Sequence, residues 1–271
     1  MLNRILVAIL GIPLLIYIFY MGGLPLLVFT NGIIGIGLYE FYKMAEDFGN
    51  KPYLKIGILT GLTIPNLIYF LSPSESSLIL FLPLVFLFIL LMALRVIKNE
   101  IENTSRDIGI TILGIFYVSI LFSHILLLGK MPNGGKLILL IQAAVWVCDS
   151  AAYFVGMNFG RKFFKEGFSI ISPKKSKEGA IGGIIFTMIA VIILNNQFNI
   201  IKGNIFLILL LGLIISIVAQ IGDLAESMFK REFKIKDSGK LLGEHGGILD
   251  RFDSMIFVLP VVYNLLKIFI Y

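Results

Sequence analysis

Residues 227 to 253 place Lys230, Arg231, Lys236, Asp237, His245, Asp250, Arg251 and Asp253 around Gly239, Gly243, Gly246 and Gly247, between two apolar runs. Lysine and arginine neutralise anions, and glycine lets backbone N–H groups close on one. A phosphate site is the chemistry such a loop supports, and the positive end of a helix starting near Asp250 would strengthen it. In that helix Asp253 lies one turn beyond Asp250 and about 60° around, so both carboxylates could face a shared metal. Either Asp alone could instead cap the helix N-terminus. Capping leaves unexplained why Lys-Arg, Lys-Asp and His-Gly-Gly arrive in the same loop.

The run before this loop turns polar on one face. Gln220, Asp223, Ser227, Lys230 and Arg231 fall within an arc of about 100° on a helix leaving the membrane. Asp223 sits inside the bilayer edge, where an ionised carboxylate costs several kcal/mol unless it is paired or binds a cation. With Glu226 one turn away, a divalent metal is a natural partner. The competing reading is an ion pair to a nearby Lys or Arg that ties helices together. Asp149 is another deep acid, eight residues or about 12 Å before the cytoplasmic end of its apolar run. A hydrogen bond to Tyr153, one turn on, competes with a polar pocket or second-cation role. His124 has no acidic or cysteine neighbour at ligand spacing and reads as a satisfied core histidine.

The elements that must carry these residues are membrane helices. The chain is 58% hydrophobic and only 15% charged, with a mean hydropathy of +0.94, more apolar surface than a soluble domain of 271 residues can bury. A window of about 20 residues, enough to cross ~30 Å of hydrocarbon, gives nine spans at residues 4–21, 24–42, 56–72, 77–95, 108–129, 136–157, 180–198, 204–229 and 253–271. The first has Arg4 before an apolar stretch, but no small-x-small cleavage site follows, so it is read as a span. Pro13 and Pro65 are expected to kink their helices, and Pro65-Asn66 interrupts the third span. The expected architecture is all-α and polytopic, one integral-membrane domain. Its N-terminal helices occupy 1–135 and its catalytic region 136–271.

With the N-terminus inside, all but Lys130, Lys136, Lys202 and Lys267 of the 23 lysines and arginines fall on the cytoplasmic side. The loops after spans six and eight are then cytoplasmic and the C-terminus is outside. The formal charge of +6 is explained by this orientation, so nucleic-acid binding is not expected. Cys148 is the only cysteine, which excludes an intrachain disulfide.

The order Ser227, Lys230-Arg231, Lys236-Asp237, Gly239, His245-Gly246-Gly247, Asp250-Arg251-Phe252-Asp253 resembles the diagnostic motif of the phosphatidate cytidylyltransferases, or CDP-diacylglycerol synthases. Two earlier stretches are similar to the same family: Asp149-Ser-Ala-Ala-Tyr153-Phe-Val-Gly156, and Ser172-Pro-Lys174-Lys175-Ser176-Lys-Glu178-Gly179-Ala-Ile-Gly182-Gly183, with Ser176 where Thr is commoner. The resemblance covers roughly residues 140 to 260, and the earlier spans match only in hydrophobic character. It implies conversion of CTP and phosphatidate to CDP-diacylglycerol and pyrophosphate at the cytoplasmic edge of the cell membrane. It also implies Mg²⁺, with room for a monovalent cation such as K⁺, about nine helices and a homodimer.

Under that resemblance Asp223 and Asp250 are expected to hold the metal, with Asp253 and Glu226 as weaker candidates and Asp149 as a second cation site or polar pocket. Lys230 and Arg231 join the catalytic group. Ser172, Lys174, Lys175, Lys236, Asp237 and Arg251 are expected to bind the triphosphate and the lipid phosphate, with His245, Gly246 and Gly247 shaping the cradle. The nucleophile is already an anionic phosphate oxygen, so the reaction needs charge neutralisation and alignment more than a base. A CDP-alcohol phosphotransferase would also combine Asp and Mg²⁺, but its Asp-Gly opening is missing, since no Asp-Gly occurs here. An ion-coupled transporter would explain Asp149 and Asp223 but not the basic glycine loop.

Overall fold

The computed structural model describes residues 2–71, 82–164, 167–239, 241 and 246–270, with the side chains of 2–10 left aside. His245 and residues 77–81 of the fourth expected span lie outside the described residues.

Every regular element among the described residues is a helix: α1 Leu2–Met21, α2 Gly23–Asp47, α3 Leu54–Phe70, α4 Leu82–Lys98, α5 Thr104–Gly129, α6 Gly134–Phe159, α7 Lys177–Phe198, α8 Ile205–Glu232 and α9 Leu249–Phe269. The β-pairing among the described residues is one isolated bridge between Gly167 and Ser176. Six of the helices, α2 and α5 to α9, are long and apolar enough to cross a membrane, while α3 is apolar but shorter. The protein is a multi-pass, all-α membrane protein. With no water in hydrocarbon, each backbone polar group has to be satisfied within its own helix, which is why long apolar runs settle as helices.

The chain divides into two compact units. One comprises residues 1–21, 128–231 and 252–271, the other 22–127 and 232–251.

In the second unit α3 shows how a proline is tolerated. Pro65 has no N–H to give to the Gly61 carbonyl four residues back. Ser119 Oγ on α5 donates to that carbonyl instead, at 2.6 Å, and Asn66 Nδ2 donates to Leu62 O and to Asn31 Oδ1 on α2. The helix continues through Pro65 rather than ending there. Tyr42 of α2, fully buried, packs its ring against Gly57 and Gly114, and its hydroxyl donates to Thr111 O at 2.7 Å. Arg95 pairs with the buried Asp107 at 2.6 Å, and Asp107 also accepts from Lys51 N. His124 Nδ1 lies 2.9 Å from Ile120 O, beside a π-helical turn at Ile115–Ile120, in keeping with a core histidine.

The first unit is organised by close helix contacts. α7 presents Gly179, Gly182 and Gly183 to α6, and a Cβ built on Gly182 would lie 2.6 Å from Val155. Small residues at this spacing let two helix backbones approach where lipid supplies no hydrophobic drive between them. Gly222 does the same for α8 and α9, since a Cβ there would lie 2.8 Å from Asp253 O. Asp223 and Asp253 are therefore carried by helices in backbone contact.

Candidate active site

In the first unit α6, the 168–176 loop, α7 and α8 form an open cleft of about 490 Å³. Asp149 from α6, Ser172, Lys174 and Lys175 from the loop, and Gln220 and Asp223 from α8 line it. The loop is held from several sides. Ser176 caps α7, accepting from Gly179 N at 3.0 Å, as a helix start requires of one of its orphan donors. Glu178, buried in the first turn of α7, accepts from the backbone N–H of both Phe163 and Phe164 at 2.9 Å. Arg161 donates to Pro173 O at 2.8 Å, and Phe168 N to Lys175 O at 2.9 Å. Lys175 is thereby aimed into the cleft, where its ammonium donates to Asp223 Oδ2. Gln220 Nε2 donates across to Ala180 O at 3.2 Å, fixing α8 against α7 one turn before Asp223.

Two further carboxylates lie within electrostatic range of Asp223. Asp149 interacts electrostatically with Asp223 and Lys175, and Asp253 with Asp223, Asp149 and Lys230. Asp253 Oδ1 also accepts from Ser254 N at 2.6 Å. Tyr153 is 65% exposed and, among the described residues, forms no hydrogen bond with Asp149, which lines the cleft. Glu226, fully buried on α8, pairs with Lys230 one turn on. Arg231 is exposed at the end of α8.

The rest of the expected set belongs to the second unit. Lys236, Asp237 and Arg251 are exposed. Gly246 has a φ of +78°, a conformation open to glycine, and a Cβ there would lie 2.6 Å from Asp250 Oδ2. Asp250, in the first turn of α9, accepts through Oδ2 from Ser238 N at 3.0 Å, Ser238 Oγ at 2.9 Å and Gly247 N at 2.8 Å. One carboxylate oxygen thus gathers three donors and shapes its own loop.

Glu40 stands outside every motif of the sequence. This residue, only 4% exposed on α2, accepts from Ile248 N at 3.0 Å and Leu249 N at 2.9 Å. An acid just inside the end of an apolar span is the signal that could have found it, because such a residue persists only with partners.

Among the described residues no three His, Cys, Asp or Glu side chains are grouped as a ready-made metal cage. A small hard cation such as Mg²⁺ takes as few as one or two carboxylates and completes its shell with water and substrate phosphate. Asp223, with Asp149 and Asp253 in electrostatic range, supplies oxygen donors of that kind, and a lysine ammonium already meets one of them.

A model of the cytidylyltransferase family matches residues 2–269. The chain belongs to this family. It is similar to the phosphatidate cytidylyltransferase of Bacillus subtilis (strain 168), 33% identical with 98% of each chain covered. Those of Staphylococcus haemolyticus (strain JCSC1435) and Staphylococcus aureus (strain COL) are 36% and 35% identical, over 97% of this chain and 98% of theirs. As a member of the cytidylyltransferase family the protein is a membrane-embedded nucleotidyltransferase.

Proposed function

We propose that the chain transfers the cytidylyl group of CTP to phosphatidate, forming CDP-diacylglycerol and pyrophosphate for phospholipid synthesis. The observation that carries this reading is one cleft holding Asp149, Asp223, Lys174 and Lys175, in a chain of this family. A phosphate oxygen of phosphatidate bonds to the α-phosphorus of CTP while the bond from that phosphorus to the α–β bridging oxygen breaks. The departing electron pair stays on pyrophosphate. Since the attacking oxygen is already anionic, no residue has to remove its proton, and the obstacle is repulsion between two polyanions. Lys174 and Lys175 neutralise phosphate charge inside the cleft, and Lys230 and Arg231 add positive charge at the end of α8. Asp223, supported by Asp149 and Asp253, would hold Mg²⁺, which when bound adds charge neutralisation and polarises the phosphoryl group under attack.

Purified protein in lipid–detergent micelles should release pyrophosphate from CTP when phosphatidate is present and give none with diacylglycerol, which lacks the phosphate nucleophile. No release with phosphatidate would overturn the reading, and equal release with diacylglycerol would exclude the phosphate as nucleophile.

The site is proposed to face the cytoplasm from the cell membrane, with the C-terminus outside, because the basic residues then lie overwhelmingly inside. A cysteine introduced at Ile235 should resist an impermeant thiol reagent applied to intact cells and react once the cells are opened. Labelling from outside would reverse the orientation.

A further inference from the structure

We infer that Glu40 is a positioning residue: its buried carboxylate is the internal anion on which the substrate-binding loop before α9 is folded. The inference rests on the reading above for what the loop binds, though the geometry stands by itself. The two N–H groups that open α9, Ile248 and Leu249, donate to Glu40 Oε1 and Oε2 at 3.0 and 2.9 Å. Ser238 Oγ adds a longer contact to Oε2 at 3.4 Å while donating to Asp250 Oδ2 at 2.9 Å. Two anions, one from α2 and one from α9 itself, therefore each tie Ser238 to the backbone that opens α9.

The glycines of the loop fit this arrangement. A Cβ built on Gly239 would collide with the Glu40 carboxylate, and one on Gly247 would lie 2.5 Å from Glu40 Oε2. Bare backbone at these two positions is what lets the loop close on the acid. The donors that glycine and a helix start offer to an external phosphate are, at Gly247, Ile248 and Leu249, already given to protein carboxylates. The same attraction of helix N-terminal N–H groups for anions is used here to fold the loop itself. Lys236, Asp237 and Arg251, exposed on either side of the clamp, are then held at fixed positions for the substrates.

A buried carboxylate accepting several charge-assisted hydrogen bonds is costly to replace, because its donors are left without acceptors. Glu40→Gln keeps the shape but turns an amide N–H toward one of these donors. Glu40→Ala removes both acceptors. Hydrogen exchange followed by mass spectrometry should show the amides of Gly247, Ile248 and Leu249 exchanging about 10-fold faster or more in Glu40→Gln, with α6 and α7 unchanged. In kinetics the KM for CTP or phosphatidate should rise about 10-fold while kcat changes less, because substrate binding must now order the loop. A variant that merely misfolds in part would lower kcat at unchanged KM.

Unchanged exchange at these amides in both variants would overturn the inference, as would a loss confined to kcat. The exchange measurement needs no turnover. Faster exchange in a protein that fails to use phosphatidate would uphold the clamp and refute the substrate reading instead.

Discussion

Asp223→Asn lowers turnover by about 100-fold or more while the protein remains folded and inserted. The substitution keeps the shape of the side chain and removes its charge. Asp223 is the acid that receives the Lys175 ammonium, and it shares the cleft with Asp149. Its loss removes both the partner that holds Lys175 in place and the leading oxygen donor for a cation. The ion pair contributes little to stability, since both side chains are about one-third exposed and such pairs are worth about 1 kcal/mol or less. The expected result is therefore a large kinetic loss with almost no shift in thermal unfolding. Near-normal activity in a well-folded Asp223→Asn protein would remove Asp223 from the site, and a collapse in stability would make it a structural tie between the loop and α8.

Lys175→Ala should cost about 100-fold in kcat/KM, with Lys175→Arg recovering only part of it. Without the ammonium, Asp149, Asp223 and Asp253 face one another with less positive charge between them, and the incoming triphosphate meets a net acidic cleft. Arginine restores the charge but replaces a compact ammonium with a planar fork on a longer reach, in a cleft of only about 490 Å³. Initial rates at varied CTP and phosphatidate measure this. Full activity in Lys175→Ala would mean that the ion pair seen here has no part in the reaction.

Much of the architecture was legible because the bilayer imposes it. A run of about 20 apolar residues has few alternatives to a helix, and each expected span overlaps a helix among the described residues, with Leu71, Asn204 and Ile270 falling just beyond a helix end. Helix ends were less legible. α2 runs on to Asp47 and α8 to Glu232, because polar residues extend a helix into the interface where a hydropathy window has already stopped.

For the site, residue types and the two loops could be read, but pairings could not. Lys175 and Asp223 are 48 residues apart, and nothing in the sequence chooses Lys175 over Lys174 as the partner. The choice comes from the 168–176 loop, whose backbone is fixed by Arg161, Glu178 and the Ser176 cap. Asp149 and Tyr153 show the opposite case. Helical spacing allowed a hydrogen bond, yet the ring points outward beside Phe154. Glu40 was hidden by sequence distance, since its partners Ile248 and Leu249 lie 208 and 209 residues later.

The most direct test of cytidylyl transfer follows the phosphorus atoms. Purified protein is given phosphatidate and CTP labelled at either the α- or the γ-phosphorus, and lipid and aqueous phases are separated. Cytidylyl transfer puts α-label in the lipid phase as CDP-diacylglycerol and γ-label in water as pyrophosphate, both lost in Asp223→Asn. Lipid carrying γ-label would mark a kinase, and α-label appearing only as soluble CMP would mark a hydrolase; either result would contradict the account.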